Sequence, residues 1–337
     1  MTYWQNMQAL APFKLSPFYQ TRIWGFRDLA PWFDYRIDVD SDVDPIGEVY
    51  LTGAKCMAAT GPLTGKSFAE IMAEYGPAIL GSDHVPVEVP DGTPEFPLLI
   101  KVLFPREKLS VQVHPDDLLA KQIGEPRGKT ECWYILEAEP DAKVALGVKA
   151  GVSTDQVRAA IDDQSLEDLL QWLPIEVGDM VYVDAGTVHA IWPGSVILET
   201  QQTSDVTFRL YDYGRPRELH IDKSIRAMRL ETAAGKVRPR NDTDHTVLID
   251  EQYFRVERWP LDGAAQATKL TATCNNANID GRSAALLFVT QGLVRIGGEG
   301  CEPFTLGRCE LAVLPASANE ITVEPLDSAE VVRILPR

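Results

Sequence analysis

The sequence predicts a mainly β protein built as two β-rich units, with a small helical insertion in the first. Three observations carry this expectation. Most of the 337 residues fall into short polar/apolar runs punctuated by Gly, Pro and Asp, as strands and their turns require. Two stretches instead open on a helix-start signature: residues 67–75 begin with the spacing Ser67-x-x-Glu70, and residues 153–161 with Ser153-x-x-Gln156. The end of the chain also echoes its middle. Residues 285–292 repeat the pattern of the strand around Trp133, and residues 310–319 that of the strand leading to His189, with Asn319 near the histidine's place.

In order along the chain, residues 1–235 are read as the first unit and residues 246–337 as the second. The helical segments fall near 67–75 and 153–172, the latter closing with a turn over Ser165 to Leu170 before Pro174. Because that segment interrupts the β pattern between Glu131 and His189, it is expected beside the mouth of the first barrel. Residues 231–250 are polar with few apolar anchors and read as a linker. Residues 246–337 contain no histidine, so the second unit is expected to be metal-free. Stabilising the first unit, or joining an oligomer such as a homodimer, would be its role.

Metal-capable side chains concentrate in three strands. In residues 109–117, alternation puts Ser110, Gln112 and His114 on one face and Leu109, Val111 and Val113 on the other, with Pro115 ending the strand. In residues 128–136 it groups Lys129, Glu131 and Trp133. In residues 178–190 an apolar strand enters a tight turn at Gly186 that delivers His189. Two imidazoles, one carboxylate and one amide oxygen make an N/O shell for zinc or a similar divalent ion. A half-buried strand with a surface histidine is the plainer reading of residues 109–117 alone; the other segments weigh against it.

Composition narrows the partners. A net charge of -17 argues against nucleic acid or an anionic membrane. No apolar run reaches the 18 to 20 residues of a membrane span, and the first residues lack a signal peptide's basic and apolar regions. Five cysteines without a Cys-x-x-Cys pair read as reduced thiols, so a cytoplasmic location is expected. No nucleotide-binding glycine motif is present.

Four segments in order, residues 109–117, 128–136, 178–191 and 199–223, resemble the type I mannose-6-phosphate isomerases, zinc-dependent members of the cupin superfamily, in their short bacterial form. The resemblance implies two cupin-type jelly-roll barrels and interconversion of mannose 6-phosphate and fructose 6-phosphate. It implies Gln112, His114, Glu131 and His189 as ligands of one Zn2+, and Arg209 as the catalytic arginine. Lys129 and Glu199 are rival proton-transfer groups, and Ser110 and Lys101 match positions at the phosphate end of the pocket, although Lys101 reads equally well as a surface residue. Arg215 and Arg217 are weaker phosphate candidates. His220 reads as a structural hydrogen-bonding residue rather than a ligand. Asp184 stands where the family has proline, and Tyr50 where it has tryptophan two residues after the glutamate, here Glu48. The competing readings are a catalytically silent sugar-phosphate binder, an isomerase for a related sugar phosphate, and an iron-dependent oxygenase. Gln112 and the arginine strand speak against the last.

Overall fold

The computed structural model describes residues 9–81, 87–88, 94–262, 268–269, 283–318 and 320–337, so His84, Cys274 and Asn319 lie outside the described residues. The chain forms two compact units. One takes the chain up to Phe18 with Tyr50–Leu99 and Arg238–Arg337, and the other Tyr19–Val49 with Ile100–Val237. Each pairs a large sheet with a smaller one, giving the two jelly-roll sandwiches of a cupin-type architecture.

In the unit that holds the metal-capable residues, the larger sheet runs Gly235–Lys236, Met180–Val183, Glu131–Ala138, Ser195–Gln202, Leu98–Leu103, Ile46–Tyr50, Phe18–Phe26. The smaller runs Leu170–Pro174, Lys143–Val148, His189–Ile191, Val111–Val113, Phe208–Tyr211. Between them lie Trp24, Leu103, Leu109, Trp133, Val144, Leu146, Val181 and Ile197. Val111, Val113, Val188, Ala190, Phe208 and Leu210 point the other way, from the smaller sheet into a separate cluster. Leu109 therefore does not share a face with Val111 and Val113. The ladder begins only at Val111, so strict alternation does not extend back to Leu109.

Besides the short helix Asp117–Gln122, the helices of this unit are Thr154–Asp162, Leu166–Leu169 and Ile221–Ala227. They cover that outer face through Val157, Ala160, Ile161, Leu166 and Ala227. They do not sit beside the mouth. The apolar stripe of Thr154–Asp162 can be buried only against the valines of the smaller sheet, whose inner face carries the polar site. The helical segment also ends early, because Leu170–Pro174 is a strand paired with Lys143–Val148. Both capping boxes form: Ser67 opens Phe68–Leu80 and Ser153 opens Thr154–Asp162. The first helix outruns its expected end at residue 75. Pro77 falls in its last turn, and burial of Ala78, Ile79 and Leu80 holds that turn in place.

In the other unit the larger sheet includes Phe254–Leu261, Ala329–Pro336, Ala285–Gln291, Leu311–Leu314 and Phe13–Ser16 in that order, and the smaller includes Ile321–Pro325, Val294–Gly298 and Cys301–Leu306. The echo seen in the sequence is a topological one. Ala285–Gln291 lies between Leu311–Leu314 and Ala329–Pro336, as Glu131–Ala138 lies between Met180–Val183 and Ser195–Gln202. Register aligns them: Glu131 pairs with Val183 and Ala285 with Leu314, each the last residue of its partner strand. Alanine thus stands where the first sandwich has its carboxylate. The stretch expected as a linker contains strand: Thr246–Asp250 pairs with Phe254–Leu261, and Gly235–Lys236 with Met180–Val183. Its polarity reflects the edge strands Gly235–Lys236 and Arg240–Asn241, which meet solvent, whereas Thr246–Asp250 is an interior strand and largely buried.

Candidate metal centre and active site

Register across the smaller sheet assembles one wall of the site. Gln112 pairs directly with His189 on one side and with Arg209 on the other, so the three side chains share the inner face. In the facing sheet Glu131 pairs with Gln201 and Trp133 with Glu199. His114 follows the strand Val111–Val113, and Gly128 brings Lys129 against it. A Cβ on Gly128 would stand 2.5 Å from the Asp116 carbonyl carbon, while Lys129 N–H donates to the Pro115 carbonyl at 3.0 Å. Gly186 turns the chain toward His189 at φ +92°. Asp184 holds that turn, accepting from the Thr187 hydroxyl at 2.8 Å and the Ala233 N–H at 3.2 Å. This is a function its proline counterpart could not serve. Tyr50 ends the strand Ile46–Tyr50 of the larger sheet, its ring edge-on to Phe18.

Among the described residues, one group of His, Cys, Asp and Glu side chains converges as a metal site: His114, Glu131 and His189, all buried, with ligand atoms within 4.8 Å of one another. The Nδ1 of His114 lies 2.7 Å from the Val206 carbonyl, and that of His189 lies 2.9 Å from the Thr187 carbonyl. A carbonyl can only accept, so both rings carry their proton on Nδ1 and aim the Nε2 lone pair inward. His114 Nε2 is 3.7 Å from Glu131 Oε2, and His189 Nε2 is 3.4 Å from Oε1. Neither Glu131 oxygen has a hydrogen-bond partner. Lys129 Nζ approaches Oε2 to 2.6 Å as an ion pair without hydrogen-bond geometry, and lies 3.1 Å from His114 Nε2. The ammonium thus faces the lone pairs that a metal cation would, and the donor set fits a divalent ion. Gln112 completes the rim, its Nε2 placed 3.1 Å from His189 Nε2. Ligation through Oε1 needs only the amide flip, which exchanges near-isosteric groups.

Around this centre, Trp133 packs edge-on to His189 with ring centroids 5.6 Å apart, and its indole N–H donates to Glu199 at 3.2 Å. Lys101 lies 3.5 Å from Glu199, and both are buried, so Lys101 is not a surface residue. Ser110 Oγ lies 3.4 Å from Gln112 Oε1. Arg209 donates from Nη1 to the Glu218 carbonyl at 2.8 Å, while its Nε is buried with no hydrogen-bond partner. Asp212, buried, receives Arg217 through two bonds and Arg215 through one. Asp117 braces the turn after His114, accepting from Gly128 N–H and the Gln202 amide. Sequence reasoning gave Trp133 no role. Its place on the Glu131 face was the available signal, but the indole bond to Glu199 crosses between strands.

Burial, with Lys129 and His189 adding to it, holds the His114 pKa well below the ordinary range. Burial likewise takes His189 from 6.5 down to about 4, against the opposing Thr187 carbonyl. In metal-free protein both rings are therefore neutral when folded and take up protons once unfolded below pH 6.5. Below that value the unfolded state binds more protons, and stability falls by up to about 1.4 kcal/mol per pH unit for each ring. For His189 the loss continues down to about pH 4. Chelator-treated protein should melt at a constant temperature above pH 7 and progressively earlier below 6.5. A flat profile to pH 5 would show that the rings are not buried neutral.

The family model for the phosphomannose isomerase type I catalytic domain matches residues 12–149. Mannose-6-phosphate isomerase ManA of Bacillus subtilis (strain 168) is 33% identical over 331 residues, 93% of this chain and 96% of that protein. The mannose-6-phosphate isomerase of Streptococcus mutans is 31% identical, over 89% of this chain and 96% of its own. The crystal structure of the Bacillus subtilis mannose 6-phosphate isomerase shares the fold with a TM-score of 0.79 and 28% identity, covering 96% of this chain and 99% of that one. A variant phosphomannose isomerase from Salmonella typhimurium has the same fold at a TM-score of 0.74 and 18% identity, covering 97% and 100%. Near-full-length similarity above 30% identity, joined to the convergent His114–Glu131–His189 centre, makes this chain a member of the type I phosphomannose isomerase family.

Proposed function

We propose that this centre interconverts mannose 6-phosphate and fructose 6-phosphate, with Zn2+ held by Gln112, His114, Glu131 and His189. One observation carries the ligand set. Two imidazoles locked with Nδ1–H on backbone carbonyls turn their lone pairs toward a carboxylate that has no hydrogen-bond donor. Held by these four residues, the ion would supply a Lewis acid for the oxygens of the open-chain sugar.

The reaction moves a proton between C2 and C1 and another between their oxygens, and needs no external oxidant. Arg209 shares the inner face with Gln112 and His189 and holds a planar cation beside the oxygen where negative charge develops. Lys129 and Glu199 are the groups assigned to proton transfer at carbon. Trp133 and Lys101 orient the Glu199 carboxylate, and Lys129 stands among the lone pairs of the centre. Ser110 and Lys101 are assigned to the phosphate, which an enzyme of net charge -17 must bind with cations placed locally. The four unpaired cysteines among the described residues, three of them buried, support a cytoplasmic setting.

Proton NMR of either sugar phosphate in D2O tests this reading. Conversion should stop on chelation, return with zinc, and place solvent deuterium on the carbon that receives the proton. No conversion with metal bound would sink the isomerase reading and leave the sugar-phosphate binder.

A further inference from the structure

We infer that His220 is a positioning residue for Arg209, holding its backbone through the imidazole; this rests on the catalytic role proposed for Arg209.

Phe208–Tyr211 is the edge strand of the smaller sheet, bonded to Val111–Val113 on one side only. An edge leaves its outward N–H and C=O groups without a ladder. The register also shifts between Arg209 and Tyr211, the kind of irregularity that re-aims a side chain beside a site. At Arg209 a single short segment replaces the missing strand. Arg209 N–H donates to His220 Nδ1 at 3.2 Å, His220 N–H donates to the Arg209 carbonyl at 2.8 Å, and Arg209 Nη1 donates to the Glu218 carbonyl at 2.8 Å. Main chain and guanidinium are thus fixed from one direction.

The imidazole does this in place of its local duty. His220 is the N-cap of the helix Ile221–Ala227, where a side chain ordinarily accepts from the first turn, yet it makes no such bond. A backbone N–H is an obligatory donor, so Nδ1 must hold a lone pair and the ring proton sits on Nε2. This is the opposite tautomer to His114 and His189. The groups facing the ring are the Glu218 carboxylate, 3.8 Å from Nε2, the Phe208 ring at 6.4 Å, and the charges of Arg209 and Lys223. Desolvation holds its pKa below the ordinary value, which keeps the acceptor available at neutral pH. Protonation would set an N–H against the Arg209 N–H.

The experiment compares kcat, KM, metal content and melting for the wild type, His220→Leu, His220→Asn and Arg209→Ala. Nitrogen-15 histidine spectra of the unaltered protein are recorded alongside. Because positioning acts on the turnover step, His220→Leu should lower kcat roughly tenfold with KM and metal content nearly unchanged. The Asn oxygen can occupy the place of Nδ1, so His220→Asn should recover most of that loss. The spectra should show His220 protonated on Nε2. Full kcat in His220→Leu, no recovery in His220→Asn, or an Nδ1-protonated ring in the wild type would each overturn the inference. Unchanged turnover in Arg209→Ala would instead overturn the reading on which it rests.

Discussion

Glu131→Gln should empty the metal centre and stop turnover. Glu131 is the one anion among Gln112, His114, Glu131 and His189, and both its oxygens are free of hydrogen-bond donors in a fully buried setting. The amide has nearly the same shape, so the sandwich persists while three neutral neighbours and a fourth neutral group face the ion. Bound metal should fall to background by elemental analysis. Activity should drop by on the order of 10³-fold or more, beyond the roughly 10- to 100-fold cost of removing a group that merely supports a ligand. A second effect separates charge from ligation. Lys129 Nζ lies 2.6 Å from Glu131 Oε2 and both are buried, so the variant leaves a buried ammonium without its counter-charge. Breaking such a pair costs about 3–5 kcal/mol, whereas removing both partners is close to neutral. Metal-free Glu131→Gln should therefore unfold at lower denaturant than metal-free wild type, and adding Lys129→Met should restore much of the difference. Full metal content in Glu131→Gln would remove this carboxylate from the centre.

Arg209→Ala should retain metal and fold but lose kcat by on the order of 10²- to 10³-fold, the scale of deleting a donor aimed at a developing oxyanion. Its buried Nε has no hydrogen-bond partner, a condition that ordinarily costs about 1–3 kcal/mol and that a substrate oxygen would relieve. Arg209→Lys should recover only part of the rate, since a point charge cannot reproduce the planar fork. Steady-state kinetics with metal analysis on both variants decides the matter. Wild-type kcat in the alanine variant would assign Arg209 to the wall of the sandwich rather than to chemistry.

Much of the site was legible because strand alternation is a local rule. Lys129, Glu131 and Trp133 needed only period two to share a face, and Gly186 needed only its turn to deliver His189. The same rule failed at Leu109, where the ladder had not yet begun. It also could not tell which face of the smaller sheet would receive the helix Thr154–Asp162. Its Ser153–Gln156 box marked the start of the helix but not its docking partner.

By itself the sequence determined the strand-rich class, both capped helix starts, the echo of two strand patterns in the second sandwich, and the metal-capable residues as candidates. These follow from periodicity, capping and side-chain chemistry, which act over a few neighbouring residues. Only the tertiary structure decided that Gln112 stands between His189 and Arg209, that Lys129 faces the lone pair of His114, and that His220 grips Arg209. Each depends on cross-strand register or a long-range approach. These are set by how whole sheets bury their apolar faces, a sum over the core that no short segment contains.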